Sequence, residues 1–436
     1  MTELSSGPVH GEVSERWATI ASMYLGYATF MVLRMIPTVT GASMRDDPTL
    51  DIDLSDLGLI FAMGTAGAVV GKFVGGLAAD WVGGKWTFTV GLLLTSVFIG
   101  LFALSDELGM FQAMFFLALL AKSFGWPAMA KIITNWFSPQ QYGGVWGVLA
   151  TSSRVGTLVA TMALGALLAV MPWRYLLMVA AGGGILAVVY FAFTLREHPS
   201  SDSLARDNDN QDSLLASHPL NNLWLPAALW VFFTSRQFWL ITGSLMGLTI
   251  LWDFLLFVPL YLKDTLSLTV AQASMAASAF PLGSLVSVLA GGYVFDRLSR
   301  RQAARVFGLL LTLATSCIGT FLAMPHMGLA PASLTGLSVA LLFLFGVCVA
   351  PCYYIPMSVF AIEFGGRHSG FLIALLDAIA FGGNFLFQLV AGKIAEHSWQ
   401  HFMAVLMAVS VASLVMMFWF LWGEAGRRQE SVSSRP

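Results

Sequence analysis

Charge is what this sequence has least of. Asp, Glu, Lys and Arg supply 11% of its 436 residues, under half of the roughly one quarter typical of soluble domains, whose surfaces water must solvate. With 57% of residues hydrophobic and mean hydropathy at +0.76, most of the surface is expected to face lipid. The net charge of −2 and pI near 6.4 leave no basic footprint for a nucleic-acid partner. Cysteine is scarce too. Cys317, Cys348 and Cys352 all fall inside apolar segments and read as small buried hydrophobes, not as a disulfide or metal framework. No HExxH or GxSxG occurs, and none of the seven His stands in mid-span. The stretch GAVVGKF at 67–73 lacks the spacing of a phosphate loop and the Ser or Thr after its Lys. No enzyme, cofactor or metal site is therefore expected. The polar, acidic start, MTELSSGPVHGEVSER, lacks the basic region and cleavage site of a secretory signal, so the first apolar segment reads as an uncleaved span.

Long apolar runs fill the rest. A bilayer core of about 30 Å needs roughly 20 apolar residues per helix. Such runs cover 17–43, 55–81, 85–104, 109–135, 141–168 and 172–195, then 237–262, 269–296, 302–323, 332–362, 368–394 and 399–423. The expectation is an all-α membrane protein of twelve transmembrane helices in two six-helix halves, 17–195 and 237–423. A polar N-terminus (1–16), a linker (196–236) and a tail (424–436) complete the chain. The linker is Ser-, Asp- and Asn-rich and flexible by composition. Its end, LWLPAALWVFFTSRQ, reads as an amphipathic segment lying on the membrane, with Pro226 and shortness arguing against another span.

Lys and Arg set the orientation. With both termini inside, the cytoplasmic side holds Arg16, Lys85, Arg196, Arg206, Arg236, Arg297, Arg300, Arg301, Arg305, Arg367, Arg427 and Arg428. The outer side holds only Arg45, Arg174, Lys263 and Lys393. A multi-pass protein of the cell (inner) membrane with cytoplasmic termini is expected, working as a monomer in the lipid bilayer.

An internal repeat links the halves. GLAADWVGGK at 76–85 and GYVFDRLSRR at 292–301 each place a Gly, three residues and an Asp before basic residues in a tight turn. Asp80 and Asp296 lie 296 − 80 = 216 residues apart, close to half the chain, as in transporters built from parallel repeats. Such an Asp, with Arg297 beside the second copy, either sets topology as a charged turn or gates, by holding helix N-termini and cations in one conformation. Spans 4 and 10 each carry an internal proline, in FGWP at 124–127 and at Pro351, and kinks in lipid are tolerated where they line a cavity or move.

The few charges at membrane depth are costly and by default face a cavity. The first half holds Arg34, Lys72, Lys122 and Arg154, and the second Asp253 and Asp377. Cations in a central cavity suit an anion, since guanidinium forks match carboxylate and phosphate. Arg34 and Arg154 are read as substrate ligands, against pairing with Asp253 or Asp377. Lys122 and Lys72 are either ligands or structural, the latter within the Gly67, Gly71, Gly75 stripe. Asp253 and Asp377 are either proton carriers or ion-pair partners. Asp377, Asn384 and Gln388 share a helical face at i, i+7 and i+11, and Tyr27 shares that of Arg34. Trp252, Tyr353 and Tyr354 are candidate aromatic walls.

The stretch GWPAMAKIITNWFSPQQYGGVW at 125–146 resembles the organophosphate:phosphate antiporters of the major facilitator superfamily. The matching elements are Gly125, Trp126, Pro127, Trp136, Phe137, Pro139 and Gly143. Gly26, Tyr27 and Arg34 in span 1, Asp56, Leu57 and Gly58 at the start of span 2, and Gly71, Lys72 and Phe73 extend the match. The loops at Asp80 and Asp296 resemble the superfamily's signature loop, with Trp81 where a basic residue is usual. The resemblance implies a clamp of one Arg in span 1 and one in span 7 on the substrate phosphate. Arg34 fits the first; Leu251 stands at the second, and Met35 where a basic residue usually follows Arg34. The expected function is secondary active transport of a small organic anion, a carboxylate or a phosphorylated metabolite. It would proceed by rocker-switch alternating access, with protons or inorganic phosphate as coupling ion. The alternative is a transporter-like membrane sensor signalling to a partner kinase.

Overall fold

The computed structural model describes residues 7–137, 141–199, 224–295, 297–365 and 369–433. Asp296, Pro139, Gly366, Arg367 and most of the linker lie outside the described residues. Every regular element among the described residues is helical. Twelve are long and apolar enough to cross a membrane. They are spans 1 (Glu15–Arg45), 2 (Leu54–Val82), 3 (Gly84–Ala103), 4 (Leu108–Trp136), 5 (Gly144–Leu167) and 6 (Trp173–Thr194), then 7 (Arg236–Leu256), 8 (Val270–Gly291), 9 (Arg301–His326), 10 (Pro331–Met357), 11 (Phe371–His397) and 12 (Trp399–Gly423).

Helix runs past the spans at both ends. The first helix starts at Gly7 and the last runs on to Ser433, beyond the apolar spans. Pro8 at a helix start and strong helix formers such as Glu12, Glu15, Arg427 and Gln429 favour continuation where no breaker intervenes. Before span 7, Leu225–Thr234 forms a ten-residue helix with Pro226 in its first turn. At about 1.5 Å per residue this is too short to span. Ala228 and Phe232 are buried while Trp224 and Trp230 are exposed, the two-faced pattern of an interfacial helix.

The chain divides into two compact units, Met1–Asp51 with Met63–Ser213, and Ile52–Ala62 with Leu214–Pro436. Each is assembled by the same contacts. In the first, span 1 packs on spans 5 and 6, and span 3 on spans 4 and 6. In the second, span 7 packs on spans 11 and 12, and span 9 on spans 10 and 12. Spans 2 and 4 meet where a Cβ at Gly67 or Gly71 would land on the carbonyl oxygens of Phe116 and Leu120. Spans 8 and 10 meet alike, with Gly283 against the Phe343 carbonyl and Gly346 against that of Phe280. Lipid provides no hydrophobic drive between helices, so this close backbone approach is the source of packing energy. Gly67 and Gly283 are 283 − 67 = 216 apart, the spacing of the paired Asp loops.

A second repeated device closes one end of each unit. The Trp173 indole N–H, at the start of span 6, donates to Asp47 Oδ2 after span 1 at 2.9 Å. The Trp399 indole, at the start of span 12, donates to Asp264 Oδ2 after span 7 at 3.1 Å. In the first unit Arg174 adds to the clasp. It stacks on Trp173, donates to the Ala103 and Ser105 carbonyls that end span 3, and pairs with Asp106 at 2.7 Å.

Two outcomes follow from this packing. Gly283→Val is expected to cost about 1–3 kcal/mol by overpacking, read as a lowered Tm in detergent, whereas Gly308→Ala, with nothing within 4 Å, is expected to leave Tm unchanged. Hydrogen bonds from Thr49 and then Trp173 hold the Asp47 carboxyl below its ordinary value. A depressed folded-state pKa contributes stability above the unfolded value near 3.9, and that stability is lost as pH falls through the folded one. The Tm gap between wild type and Trp173→Phe should therefore be present at pH 7 and close below about pH 4.

Candidate functional site

The first unit presents one of its cations, Lys122, at a break in helix geometry. Span 4 is two helices, Leu108–Lys122 and Gly125–Trp136, interrupted at Ser123 and Phe124. Pro127 is the cause: it has no N–H for the Ser123 carbonyl, and its ring crowds that carbonyl four residues back. The break leaves Lys122 at a helix C-terminus, where the helix dipole favours a cation. Its Nζ donates to the Tyr27 hydroxyl at 3.3 Å and lies 5.2 Å from the Tyr27 ring centroid. Gly125 lets span 1 approach, since a Cβ there would stand 3.1 Å from the rings of Tyr27 and Phe30. Tyr27 packs edge-on against Trp126 at 5.4 Å, which in turn contacts Trp146 of span 5.

Arg154 is 3% exposed. Its Nη1 donates to the Ala150 carbonyl and to Ser153 Oγ, both at 2.7 Å. Six residues on, span 5 widens into a π-helical turn, Ala160–Leu164, a local departure frequent at functional sites. Arg34 and Lys72 are each half-buried.

The second unit collects the polar residues of spans 7, 10 and 11. Span 7 stops at Asp253, continues as a 3₁₀ turn, Phe254–Leu256, and resumes as Val258–Leu266 with Pro259 in its first turn. A carboxylate at a helix C-terminus opposes the dipole, and Asp253 is 6% exposed, so it requires donors. Asn384 Nδ2 supplies one at 2.7 Å and Gln388 Nε2 another at 3.2 Å, both to Oδ2. Asn384 and Gln388 thus turn their amides onto Asp253. Asp377, on their helical face by spacing, accepts instead from the Tyr353 hydroxyl at 2.9 Å. Trp252 stacks with Tyr353 at 6.4 Å and meets Tyr354 edge-on. Leu251, where the resemblance implies an Arg, is fully buried.

The Asp80 loop has a partner on span 4. Asp80 Oδ1 lies 3.5 Å from Lys131 Nζ, with the Asp side chain 72% exposed, so this pair alone contributes little. Sequence reasoning missed the buried half of this junction. Glu197, assigned to the linker, accepts from the backbone N–H groups of Gly84 and Lys85 at 2.9 and 2.6 Å, capping span 3. Asn135 Nδ2 donates to the same carboxylate, and the Trp136 indole to the Arg196 carbonyl. Gly83, at φ +92, turns the chain so that these amides face Glu197. Arg297 is exposed in the turn after span 8.

Twelve apolar helices whose packing repeats between the first six and the last six, with broken helices carrying ionisable side chains, define a membrane carrier fold. Comparison with known proteins agrees. The Major Facilitator Superfamily model matches residues 17–268 and 252–436, and the chain belongs to that superfamily. A bacterial homolog of the human lysosomal transporter Spinster, solved in an inward-facing, unoccupied conformation, shares the fold. Its TM-score is 0.68 at 16% identity, over 93% of this chain and 96% of that one. Among curated relatives, the membrane sensor protein UhpC of Salmonella typhimurium is 25% identical over 94% of this chain and 92% of its own. A probable hexose phosphate transport protein of Chlamydia trachomatis is 24% identical over 64% of each chain. A hexuronate transporter of Bacillus subtilis is 25% identical over 71% of this chain and 73% of its own. The resemblance drawn from residues 24–146 is borne out in the kind of protein matched, and these relatives are transporters and a sensor, not enzymes.

Because Glu197 caps span 3 and receives Asn135, Glu197→Ala is expected to lower Tm more than Asp80→Ala does, in parallel thermal unfolding of the purified variants.

Proposed function

We propose that the chain is a secondary active transporter of a small organic anion, working by alternating access and driven by antiport or proton coupling. What carries this reading is where the helix breaks lie. In the first unit a break presents a cation, Lys122, held by Tyr27; in the second a break presents an anion, Asp253, held by Asn384 and Gln388. Discontinuous helices with ionisable residues at their ends are where carriers bind substrate and coupling ion. Arg34 and Arg154 bind the substrate anion, with Lys122 or Lys72 assisting. Tyr353 and Trp252 form an aromatic wall. Asp253 and Asp377 carry the proton or form gating pairs, and the loops at Asp80 and at Asp296 with Arg297 gate.

The names of the relatives supply the substrate class. Hexose phosphates and hexuronates are both hydroxylated sugars bearing one anionic group. Buried Leu251 removes the second guanidinium of a phosphate clamp, which favours a carboxylate, and an acidic residue two positions later favours proton coupling over phosphate exchange. The Lys and Arg asymmetry supports an inner-membrane protein, a monomer with both termini in the cytoplasm. One observation favours a second reading: the match to a membrane sensor covers nearly all of both chains. A sensor would bind the same anion without moving it and pass the signal to a partner kinase.

Uptake into proteoliposomes tests these readings. Hexose phosphates and hexuronates are offered under a pH gradient and, separately, with internal phosphate. Uptake driven by the gradient is expected, with Arg34→Ala reducing it by about ten- to a hundredfold, the loss of one charged hydrogen bond. Strict dependence on internal phosphate would overturn proton coupling. Saturable binding without uptake would replace the transporter by the sensor, and normal transport by Arg34→Ala would overturn the cationic site.

A further inference from the structure

A cavity of about 360 Å³ lies at the end of spans 7 and 12 where the linker enters, lined by Arg236, Gln237, Leu240, Phe418, Trp419, Trp422 and Gly423. None of the residues assigned to transport lines it, Trp252 and Asp253 lying toward the other end of span 7. Arg236 opens span 7, and its guanidinium lies 6.0 Å from the centroid of the Trp419 ring. Among the described residues it meets no carboxylate. Gln237 is 4% exposed, and its side-chain amide has no hydrogen-bond partner among the described residues. The amide borders the cavity, which leaves its N–H donors and carbonyl open to a polar ligand. The helix begins at Ser235 with no side-chain cap, leaving its first N–H groups toward the same end.

The walls differ in kind from this polar floor. Trp419, Trp422 and Phe418 are 55%, 62% and 46% exposed, and Phe418 stacks with Trp422 at 5.5 Å. Exposed tryptophans at a span end sit at the headgroup level of a bilayer. An aromatic belt accounts for the rings, but not for a buried amide and a guanidinium turned to one cavity. Anion chemistry above and aromatic walls beside it describe a molecule with a phosphate head and acyl tails, and basic pockets between helices at this depth bind such heads.

We propose that this cavity is a binding site for an anionic phospholipid. Its phosphate is held by Arg236 and the Gln237 amide, and its upper acyl chain lies along Trp419, Trp422 and Phe418. The guanidinium supplies charge-assisted bonds and stays ordered by its ring partner. The amide donor faces the remaining phosphate oxygen. Zwitterionic lipid would bring a choline or ethanolamine cation toward Arg236 and bind less well.

Native mass spectrometry of the full-length protein, released from bilayers of equal phosphatidylglycerol and phosphatidylcholine, tests the site. The wild type is expected to retain phosphatidylglycerol in preference, and Arg236→Gln to lower that retention by about tenfold, the loss of one charge-assisted pair. Arg236→Lys, which keeps a charge but not the planar fork, should fall between. Trp422→Leu, on the exposed wall, should weaken retention of both lipids in a protein whose Tm is unchanged. Equal retention of the two lipids by the wild type would overturn the proposal, as would undiminished phosphatidylglycerol on Arg236→Gln. Displacement of the lipid by millimolar inorganic phosphate alone would assign the site to a soluble phosphate and overturn the lipid. Uptake by Arg236→Gln in one lipid composition is expected to stay at the wild-type level, which separates this site from the transport reading.

Discussion

Inside a bilayer the backbone must satisfy its own hydrogen bonds, and two charged side chains of this chain, Lys122 and Asp253, stand where that rule is relaxed. Two spans are interrupted next to an ionisable residue. Pro127 ends the first half of span 4 just after Lys122, and Pro259 follows the break that begins after Asp253. Each interruption exposes helix-end dipoles, and each is met by side chains of neighbouring spans. Tyr27 receives Lys122, and Asn384 with Gln388 satisfies Asp253. A charge that would be costly on a regular lipid-facing helix is thereby kept inside its own unit.

The same economy appears twice over in the packing. Glycine stripes bring spans 2 and 4, and spans 8 and 10, to backbone contact. Trp173 with Asp47, and Trp399 with Asp264, tie the first span of each unit to its last. The repeats diverge where chemistry is asymmetric. Arg174 reinforces one clasp, while Gln400, the next residue in the other, binds His326 instead. Glu197 caps span 3 in the first unit, whereas Ser299 and Gln302 cap span 9 in the second with a local capping box.

Much of the architecture was legible in composition. Runs of about twenty apolar residues leave a helix as the only conformation lipid accepts, so the count of twelve and the polar gap follow from hydropathy. The Asp80 and Asp296 spacing pointed to the repeat, and the match of Gly67 with Gly283 at the same offset was readable too. Partners were not legible. Helical spacing grouped Asn384 and Gln388 with Asp377, yet their amides bond Asp253 on another helix. Glu197 looked like linker because its partners, Gly84, Lys85 and Asn135, are over sixty residues away in sequence. The Trp at the start of spans 6 and 12 was the unused signal for the paired clasps.

The sequence by itself determined a membrane-spanning, two-fold repeated helical bundle with cations in one half and acids in the other, because hydropathy and charge are properties of each residue alone. Only the tertiary structure decided which acid takes which amide, which lysine rests on which ring, and that Glu197 is a helix cap. Those choices depend on rotamers and interhelical distances that packing sets, at breaks whose depth and direction no one-dimensional pattern records.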